Sequence, residues 1–526
     1  MKKVIITDKL NEQVTELFIK NSIEVDYKPG ISSDELLKII GNYNALIVRS
    51  QTKVTEEIIS KAKNLEIIGR AGTGVDNIDL TAATRKGIVV MNTPGGNTIS
   101  AAEHTIAMLL SLCRSIPQAN ATMREGKWDR KSFYGAELFG KTLGVLGLGK
   151  IGREVAKRLK AFEMTIIGFD PVLSEKAAEE LGIKLVSVEE LLKESDFITV
   201  HVPLNDETKD LISDSQLSIL KSGVRIVNCA RGGIINEDAV IKGIEKGIIA
   251  GAAFDVFETE PPENKKLINH PKVITTPHLG ASTEEAQEKV SFQICNQIID
   301  YFTNNGVVGA VNALSIQYLN DNLVKPYISL VEKIGLFISQ SAEYPVTEFK
   351  IKYNGVNLDT YSELLTSALL KGYLEKRIDE PVNYINAKFF AEDSGLNIVE
   401  SISSKDKIYQ TLIEVEAVYK TNKISISGTL GLNGEIRIVS LDNYNIDLVP
   451  EGRMIIYYNI DKPGVLAKVS HFLAAENINI AGVFLGRKDK GSQALTVMKV
   501  DDEITENSLS KIKTIDEIKR VICVNI

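Results

Sequence analysis

Six residues, Gly147-Leu148-Gly149-Lys150-Ile151-Gly152, follow the apolar run Thr142–Leu146 and lead straight into a helical stretch over 153–160. Glycines at the first, third and sixth places of such a turn allow the tight reversal, close approach of the backbone to a pyrophosphate, and tight packing of helix on strand. The helix start adds partial positive charge for phosphates. Asp170 ends the next strand about 20 residues on, where a carboxylate accepts the ribose hydroxyls of an adenosine and repels a 2′-phosphate. Gly147, Gly149, Gly152 and Asp170 together predict a site for NAD in preference to NADP. Gly72-Thr73-Gly74-Val75-Asp76-Asn77 looks similar but carries Asn77 in place of the third glycine, and it reads as a loop near the interdomain cleft.

Taking a hydride from an alcohol carbon requires a base for the hydroxyl proton and a cation for the flanking carboxylate or carbonyl. Histidine suits the first role at neutral pH. Of the five histidines, His104 lies in an apolar helical run and reads as packed, and His270 sits in a loop between Asn269 and Pro271. His201, just after a strand, fits a cleft-lining or a structural role equally. His278 follows Thr275-Thr276-Pro277 at the end of the last strand of its block, and ligands bind at such strand ends. The four cysteines, Cys113, Cys229, Cys295 and Cys523, lack C-x-x-C spacing, which predicts no disulfide framework, no zinc knuckle and a reducing cytoplasm.

The elements that must carry these residues are legible as blocks. A chain of 526 residues suggests three or four domains. Its 44% hydrophobic and 25% charged composition excludes disorder along the whole length. The net charge of -8 opposes phosphate backbones and anionic lipid, so nucleic acid is not expected as a partner and an anionic substrate needs a local cationic pocket. No apolar run approaches the ~20 residues of a membrane span, and residues 1–10 hold only Val4-Ile5-Ile6 as an apolar core, too short for a signal segment. A soluble, cytoplasmic protein without membrane partners is the expectation.

Between residues 2 and 95, β-rich runs at 4–6, 36–40, 45–48, 65–68 and 87–90 alternate with helical ones. A second alternating block runs from Lys141 to His278, behind a helical stretch at 99–114 and a polar, aromatic connector at 126–134 that reads as exposed. Strands alternating with helices imply parallel sheets. Beyond Ala313 helices come first, then strands at period two, with Asn433-Gly434 marking a hairpin whose two turn positions both need positive φ. From Arg453 the order is βαββαβ, a ferredoxin-like unit, with Val465, Leu466, Val469, Phe472 and Leu473 on one buried helix face. The predicted fold class is α/β: two doubly wound parallel-sheet domains, one flavodoxin-like and one Rossmann, then an α+β domain, then the ferredoxin-like domain.

Three segments, Asn228-Cys229-Ala230-Arg231-Gly232-Gly233, Phe254-Asp255-Val256-Phe257-Glu258-Thr259-Glu260-Pro261-Pro262 and Pro277-His278-Leu279-Gly280-Ala281-Ser282, resemble in order the signatures of the D-isomer-specific 2-hydroxyacid dehydrogenases. The resemblance spans about Lys3 to Asn312. It implies Arg231 as the substrate-binding arginine, Glu260 as the acid partner and His278 as the base. It also implies NAD contacts at Thr73, Lys150, Ile151, Asp170, Cys229, Ala230, Arg231, Asp255, His278 and Gly280. Arg231 can hold a carboxylate bidentately, and Glu260 beside His278 would orient the ring and stabilise the imidazolium left by proton abstraction.

Residues 69–79, 91–97 and 127–131 are similar to those of the D-3-phosphoglycerate dehydrogenases. That similarity implies a substrate pocket for 3-phosphoglycerate made by Arg49, Arg70, Arg231 and His278, with Arg130 reaching in from a neighbouring subunit. Residues 459–466 and 479–481 look like an ACT domain, and the domain before it resembles the intervening domain of the long-form enzymes. Serine is the implied effector, held by Asn459, Asp461 and Asn479 at the helix opened by Gly464, although some family members carry His or Tyr in place of Asn459. The implied division is a substrate domain (1–97 and 284–313), an NAD domain (98–283), an intervening domain (314–451) and an ACT domain (452–526), assembled as a homotetramer. The implied activity is NAD-dependent oxidation at C2 to 3-phosphohydroxypyruvate, opening L-serine synthesis. Two alternatives stand beside it: another D-2-hydroxyacid dehydrogenase, reducing hydroxypyruvate or 2-oxoglutarate, and a NAD-sensing binding protein on the same fold.

Overall fold

The computed structural model describes residues 1–304, 306–355, 358–403 and 408–526. The first sheet holds β1 (Lys3–Ile6), β2 (Glu24–Tyr27), β3 (Ala45–Val48), β4 (Ile67–Arg70) and β5 (Val89–Met91), all parallel, in the order β2-β1-β3-β4-β5. Every residue of β3 is buried, as strands covered by helices on both faces must be. The flavodoxin-like expectation holds in this order.

One strand carries no apolar signature in the sequence, and one local reading is corrected. The polar run of β2, Glu-Val-Asp-Tyr, is a strand because it sits at the sheet edge, where one face stays wet. Residues 36–40, expected as a strand, belong to a helix (Ser33–Ile39) and the short 3-10 turn that follows it. Ser32 and Glu35 form a reciprocal capping box at its start, and Leu36 and Ile40, four apart, bury one face.

The second sheet comprises β6 (Thr142–Leu146), β7 (Thr165–Phe169), β8 (Lys184–Leu185), β9 (Phe197–Val200), β10 (Val224–Asn228), β11 (Ile249–Phe254) and β12 (Val273–Thr275). All pairings are parallel, and the order β12-β11-β10-β9-β6-β7-β8 reverses direction between β6 and β9. This is the Rossmann arrangement, with its ligand crevice at that switch point. The helix Thr98–Arg114 packs Ala102, Met108, Leu109 and Leu112 into the same cluster as Val145, Phe197 and Ile274. The helix Glu284–Asn304 returns to the first sheet, where Val290, Ile294 and Ile298 join Val4, Ile6, Ile47 and Ile67. A Cβ on Gly69 would lie 2.7 Å from Ile298 Cδ1, so this helix rests directly on β4.

The third sheet is mixed: β13 (Glu348–Gly355) pairs parallel with β14 (Asn397–Ser403) and antiparallel with β15 (Thr411–Tyr419), and β16 (Asn422–Leu430), β17 (Ile436–Leu441) and β18 (Tyr444–Leu448) continue antiparallel. The β16–β17 hairpin forms, but its loop is longer than a two-residue turn. Among the described residues of that loop only Gly434 has positive φ (77°), because the reversal closes through the bonds Gly431 N–H to Glu435 O and Gly434 N–H to Gly431 O. The last unit has β19 (Arg453–Ile460), β20 (Ile480–Arg487), β21 (Gln493–Val500) and β22 (Ile518–Asn525), antiparallel in the order β20-β21-β19-β22. Helices Val465–Ala475 and Glu506–Lys513 complete the βαββαβ order. Val465, Val469 and Leu473 are buried as expected, whereas Leu466 is exposed. Among the described residues, no helix is long and apolar enough to cross a membrane.

Candidate active site

The residues singled out for chemistry follow the C-terminal ends of strands. Arg49 follows β3, Arg70 ends β4, Gly147 follows β6, Cys229 follows β10, Asp255 follows β11 and His278 lies three residues beyond β12. The two parallel sheets thereby bring to one region loops that are more than 200 residues apart in the chain.

His278 has φ of 54°, a left-handed conformation that only local bonding makes tolerable for a histidine. Asp255 supplies that bonding. Its carbonyl accepts the N–H of His278 (2.9 Å), Oδ1 accepts the N–H of Leu279 (2.7 Å) and Oδ2 that of Gly280 (2.8 Å). Oδ1 also accepts the Thr276 hydroxyl (2.6 Å) and lies 3.1 Å from His104 Nε2. Burial opposes ionisation of Asp255, but these donors, led by His104 and Thr276, hold its carboxyl below its ordinary value. His104 is therefore not simply a packed residue.

The imidazole so presented has Nδ1 2.9 Å from Glu260 Oε2, which leaves Nε2 for proton transfer. Glu260 is itself fixed through Oε1, which accepts the N–H of Phe257 (3.2 Å). Burial works against ionisation here too, and the hydrogen bond and charge of His278 outweigh it, so the Glu260 carboxyl stays below its ordinary value. Such a pair can hold the ring in one orientation and accept a proton on the far nitrogen.

Arg231 stands on the neighbouring loop. Asn228 organises that loop by donating from Nδ2 to the Arg231 carbonyl (2.8 Å) and accepting the Ala230 N–H (3.0 Å). A Cβ on Gly232 would sit 1.9 Å from the Phe257 carbonyl oxygen, so the Arg231 loop lies flush against the one leading to Glu260. Arg231 Nη1 donates to the Ala230 carbonyl (2.7 Å), and Nε donates to Asp76 Oδ2 (3.0 Å) across the cleft. Nη2 rests where a Cβ of residue 74 would fall, 1.8 Å away, so a side chain there would push the Arg231 head group and Asp76 out of this arrangement. Asp76 carried no motif role in the sequence, and its pairing is visible only in three dimensions.

Arg70 lies close enough to Arg231 and Arg49 to feel both charges. Burial first, then the Arg231 charge, pushes its guanidinium down to about 10. Its Nε is buried with no hydrogen-bond partner among the described residues, and burial lowers Arg49 as well. Three guanidinium groups held together against their repulsion, one with an orphaned donor, form a receptor for an anion of high charge.

The glycine turn fits NAD. Gly147 takes φ of 93°, and a Cβ on Gly152 would lie 2.0 Å from the Gly147 carbonyl oxygen, so helix and turn touch. A Cβ on Gly149 would meet nothing, leaving open space above the start of the helix Lys150–Lys160, whose first N–H groups have no partner within the helix. Asp170 accepts the N–H groups of Leu148 (2.8 Å), Val172 (2.9 Å) and Leu173 (3.0 Å). A carboxylate offers about four acceptor positions, so one on Oδ2 remains for a ribose hydroxyl. Burial of the Cys229 thiol pushes its pKa far up, which leaves that residue its backbone as its contribution. Thr73 donates its hydroxyl to Asn97 (2.7 Å), joining the substrate-side loop to the start of the long helix. Lys150 and Ile151 sit in the first turn of the glycine-loop helix. Gly152→Ala is expected to weaken NADH binding about tenfold or more, because the methyl group would have to displace backbone; NADH fluorescence titration measures this, and unchanged affinity would contradict it.

His201 is behind the site: its ring accepts or donates at Thr199 Oγ1 (3.0 Å), burial lowers it to about 4, and its carbonyl backs the Gly147 turn. The three proposed effector residues are not gathered within one chain. Asn459 pairs opposite Ala494, whereas Asn479 precedes Ile480, which pairs opposite Val500, six rows away along the sheet. At about 3.3 Å per residue that is roughly 20 Å.

A nucleotide fold with an imidazole–carboxylate pair and a guanidinium on the adjoining loop at its strand ends has the layout of an oxidoreductase of 2-hydroxy acids. Comparison with known proteins agrees. Residues 106–280 match the family model for the D-isomer specific 2-hydroxyacid dehydrogenase NAD binding domain, residues 323–442 that for the D-3-phosphoglycerate dehydrogenase intervening domain, and residues 453–517 that for the ACT domain. A D-3-phosphoglycerate dehydrogenase of Archaeoglobus fulgidus is 44% identical over 98% of both chains, and one of Bacillus subtilis is 40% identical over 99% of both. The solved D-lactate dehydrogenase of Aquifex aeolicus, complexed with NAD and lactic acid, is 30% identical with a TM-score of 0.50 and covers 57% of this chain and 96% of its own. The chain belongs to the D-3-phosphoglycerate dehydrogenase family, in the form that carries intervening and ACT domains.

Proposed function

We propose that the protein oxidises the C2 hydroxyl of 3-phospho-D-glycerate to 3-phosphohydroxypyruvate, the first step of L-serine synthesis, with NAD bound over the Gly147–Gly152 turn. When bound, NAD supplies the acceptor for the C2 hydride. Arg231 grips the substrate carboxylate and polarises the C2 oxygen, His278 Nε2 takes the hydroxyl proton, and Glu260 holds the resulting imidazolium. The observation that carries the reading is the cluster of Arg49, Arg70 and Arg231, with the orphaned Nε of Arg70, beside the His278–Glu260 pair. A lactate or a simple hydroxy acid needs one guanidinium, and a phosphorylated acid uses all three. A NAD-sensing binding protein has no use for a complete base, partner and arginine set.

NADH formation from 3-phosphoglycerate, beside lactate and 2-hydroxyglutarate, tests the reading. Preference for the phosphorylated acid is expected, and Arg49→Ala is expected to raise its KM about tenfold or more through loss of one charge-assisted contact. Equal turnover of unphosphorylated acids would overturn the phosphate pocket.

The division into substrate (1–97, 284–313), NAD (98–283), intervening (314–451) and ACT (452–526) domains is part of this reading, supported by the return of Glu284–Asn304 to the first sheet. A homotetramer is supported by surface left bare: the helix Ile116–Arg124 buries no residue, and Trp128 and Tyr134 on the following arm are 77% and 89% exposed. Arg130 lies on that arm, placed to reach a neighbour. Serine binds the ACT unit as a feedback effector, supported by the buried Oδ1 of Asn459, which has no partner among the described residues. Asp461, which now accepts from Arg487 (3.3 Å) and the Gly491 N–H (3.2 Å), receives the amino group. A twofold pairing of ACT units sets opposite sheet ends side by side, so Asn479 contributes from a second copy. Asp461→Ala is expected to abolish the serine response while turnover without serine is unchanged, measured by serine titration of the NADH assay. A cytoplasmic location agrees with four thiols free of disulfides.

A further inference from the structure

Asp8 follows β1 and is 2% exposed, yet it pairs with no cationic side chain among the hydrogen bonds of the described residues. Its carboxylate accepts backbone N–H groups from Arg49 (2.6 Å), Gln51 (3.1 Å) and Thr52 (3.1 and 3.2 Å), and the Thr52 hydroxyl as well. Successive amides converging on one anion make a rigid nest. The same loop is gripped from the other side by Asn77, whose Nδ2 donates to the carbonyls of Arg49 (2.7 Å) and Thr52 (2.6 Å). Asn77 closes the loop 72–77 that springs from Arg70, and the Val54–Ile78 bridge ties the two loops again just beyond.

The physical need is plain. Arg49 and Arg70 repel each other, and without fixed backbones their side chains would splay apart until an anion drew them together, at a cost in ordering. We propose that Asp8 and Asn77 are positioning residues that lock the Arg49 loop to the Arg70 loop and so set the spacing at which the substrate phosphate is read. The proposal rests on the phosphate-pocket reading above. Asp8 also places a negative charge near enough to both arginines to offset their repulsion, while its hydrogen bonds go to backbone N–H groups and the Thr52 hydroxyl and leave the guanidinium donors to the substrate.

The test compares Asn77→Ala, Asp8→Asn, Arg49→Ala and the double variant Arg49→Ala/Asn77→Ala in the full-length protein, measuring KM and kcat for 3-phosphoglycerate, NADH affinity by fluorescence and thermal unfolding. Asn77→Ala is expected to raise KM about tenfold with kcat within about twofold of wild type and NADH affinity unchanged. The double variant is expected to match Arg49→Ala alone, because a clamp has no work once its arginine is gone. Asp8→Asn is expected to follow Asn77→Ala in the same direction; where it fails to fold, the Asn77 series decides alone. An Asn77→Ala change in unfolding temperature with KM unaltered, or KM effects that multiply in the double variant, would overturn the proposal. Failure of Arg49→Ala itself to raise KM would instead overturn the phosphate-pocket reading, so the two failures are distinguishable.

Discussion

His278→Ala is expected to lower kcat about 10³-fold while NADH affinity moves little. Removing a positioned general base costs about 10²- to 10⁴-fold in rate, and the imidazole has no substitute nearby: Glu260 is already held by Phe257 N–H, and His104 is engaged with Asp255 and Thr276. On the proposed reading the glycine turn and Asp170 carry most of the nucleotide affinity, and His278 adds only a contact at the nicotinamide end, so its truncation leaves most of that affinity in place. Steady-state kinetics with NADH titration measures both, and a parallel loss of NADH affinity would show that residue 278 shapes the cofactor site rather than moving the proton. The pH dependence follows from Glu260. Its carboxyl is lowered from the ordinary value, so the charged form is favoured in the folded protein and the pair with His278 is intact above the ordinary carboxylate range. It is lost only as pH falls through the depressed value. Glu260→Gln removes that support, and a lower kcat across the neutral range is the expected result.

Arg231→Gln is expected to lower kcat/KM about 10³-fold for every 2-hydroxy acid the enzyme accepts, in contrast to Arg49→Ala, whose effect falls on phosphorylated substrate. The forked guanidinium makes two charge-assisted bonds to a carboxylate, each worth about 1.5–3 kcal/mol, and its loss removes both. Arg231→Lys is not expected to rescue, since an ammonium cannot reproduce the fork. Asp76 matters here: in the structure it holds Arg231 Nε at 3.0 Å and so aims the head group across the cleft. Kinetics on phosphorylated and unphosphorylated acids separate the two arginines, and equal losses for Arg49 and Arg231 variants on unphosphorylated acids would refute the division of labour.

Much of this was legible in the chain. The spacing of Gly147, Gly149, Gly152 and Asp170 specifies a strand, a turn and a helix because the tight turn, the close backbone approach and the helix packing each need a glycine at its own place, and that requirement is local. The period-two and period-3.6 patterns placed the blocks for the same reason: each element must show its own apolar face. Local misreadings arose where neighbours decided. Residues 36–40 are apolar enough for strand or helix, and the Ser32–Glu35 cap settles it; β2 is polar because it is an edge.

What only the tertiary structure decided is how distant loops share one pocket. Sequence patterns marked His278, Glu260 and Arg231 as reactive types, but they showed Asn77 only as a missing glycine and His104 only as a packed helix residue, and Asp8 and Asp76 gave no signal of their own, since a lone aspartate in a loop looks like any solvated turn. Their roles arise because parallel sheets deliver every strand's C-terminal end to one side, where a carboxylate just after β1 can receive the amides after β3 and a histidine on Thr98–Arg114 can reach Asp255 after β11. The ACT residues show the converse. Asn459, Asp461 and Asn479 form a recognisable set in sequence, yet antiparallel register puts them at opposite ends of one sheet. Short-range chemistry is written in neighbouring residues; the geometry that joins residues far apart in the chain exists only once the sheets have chosen their order.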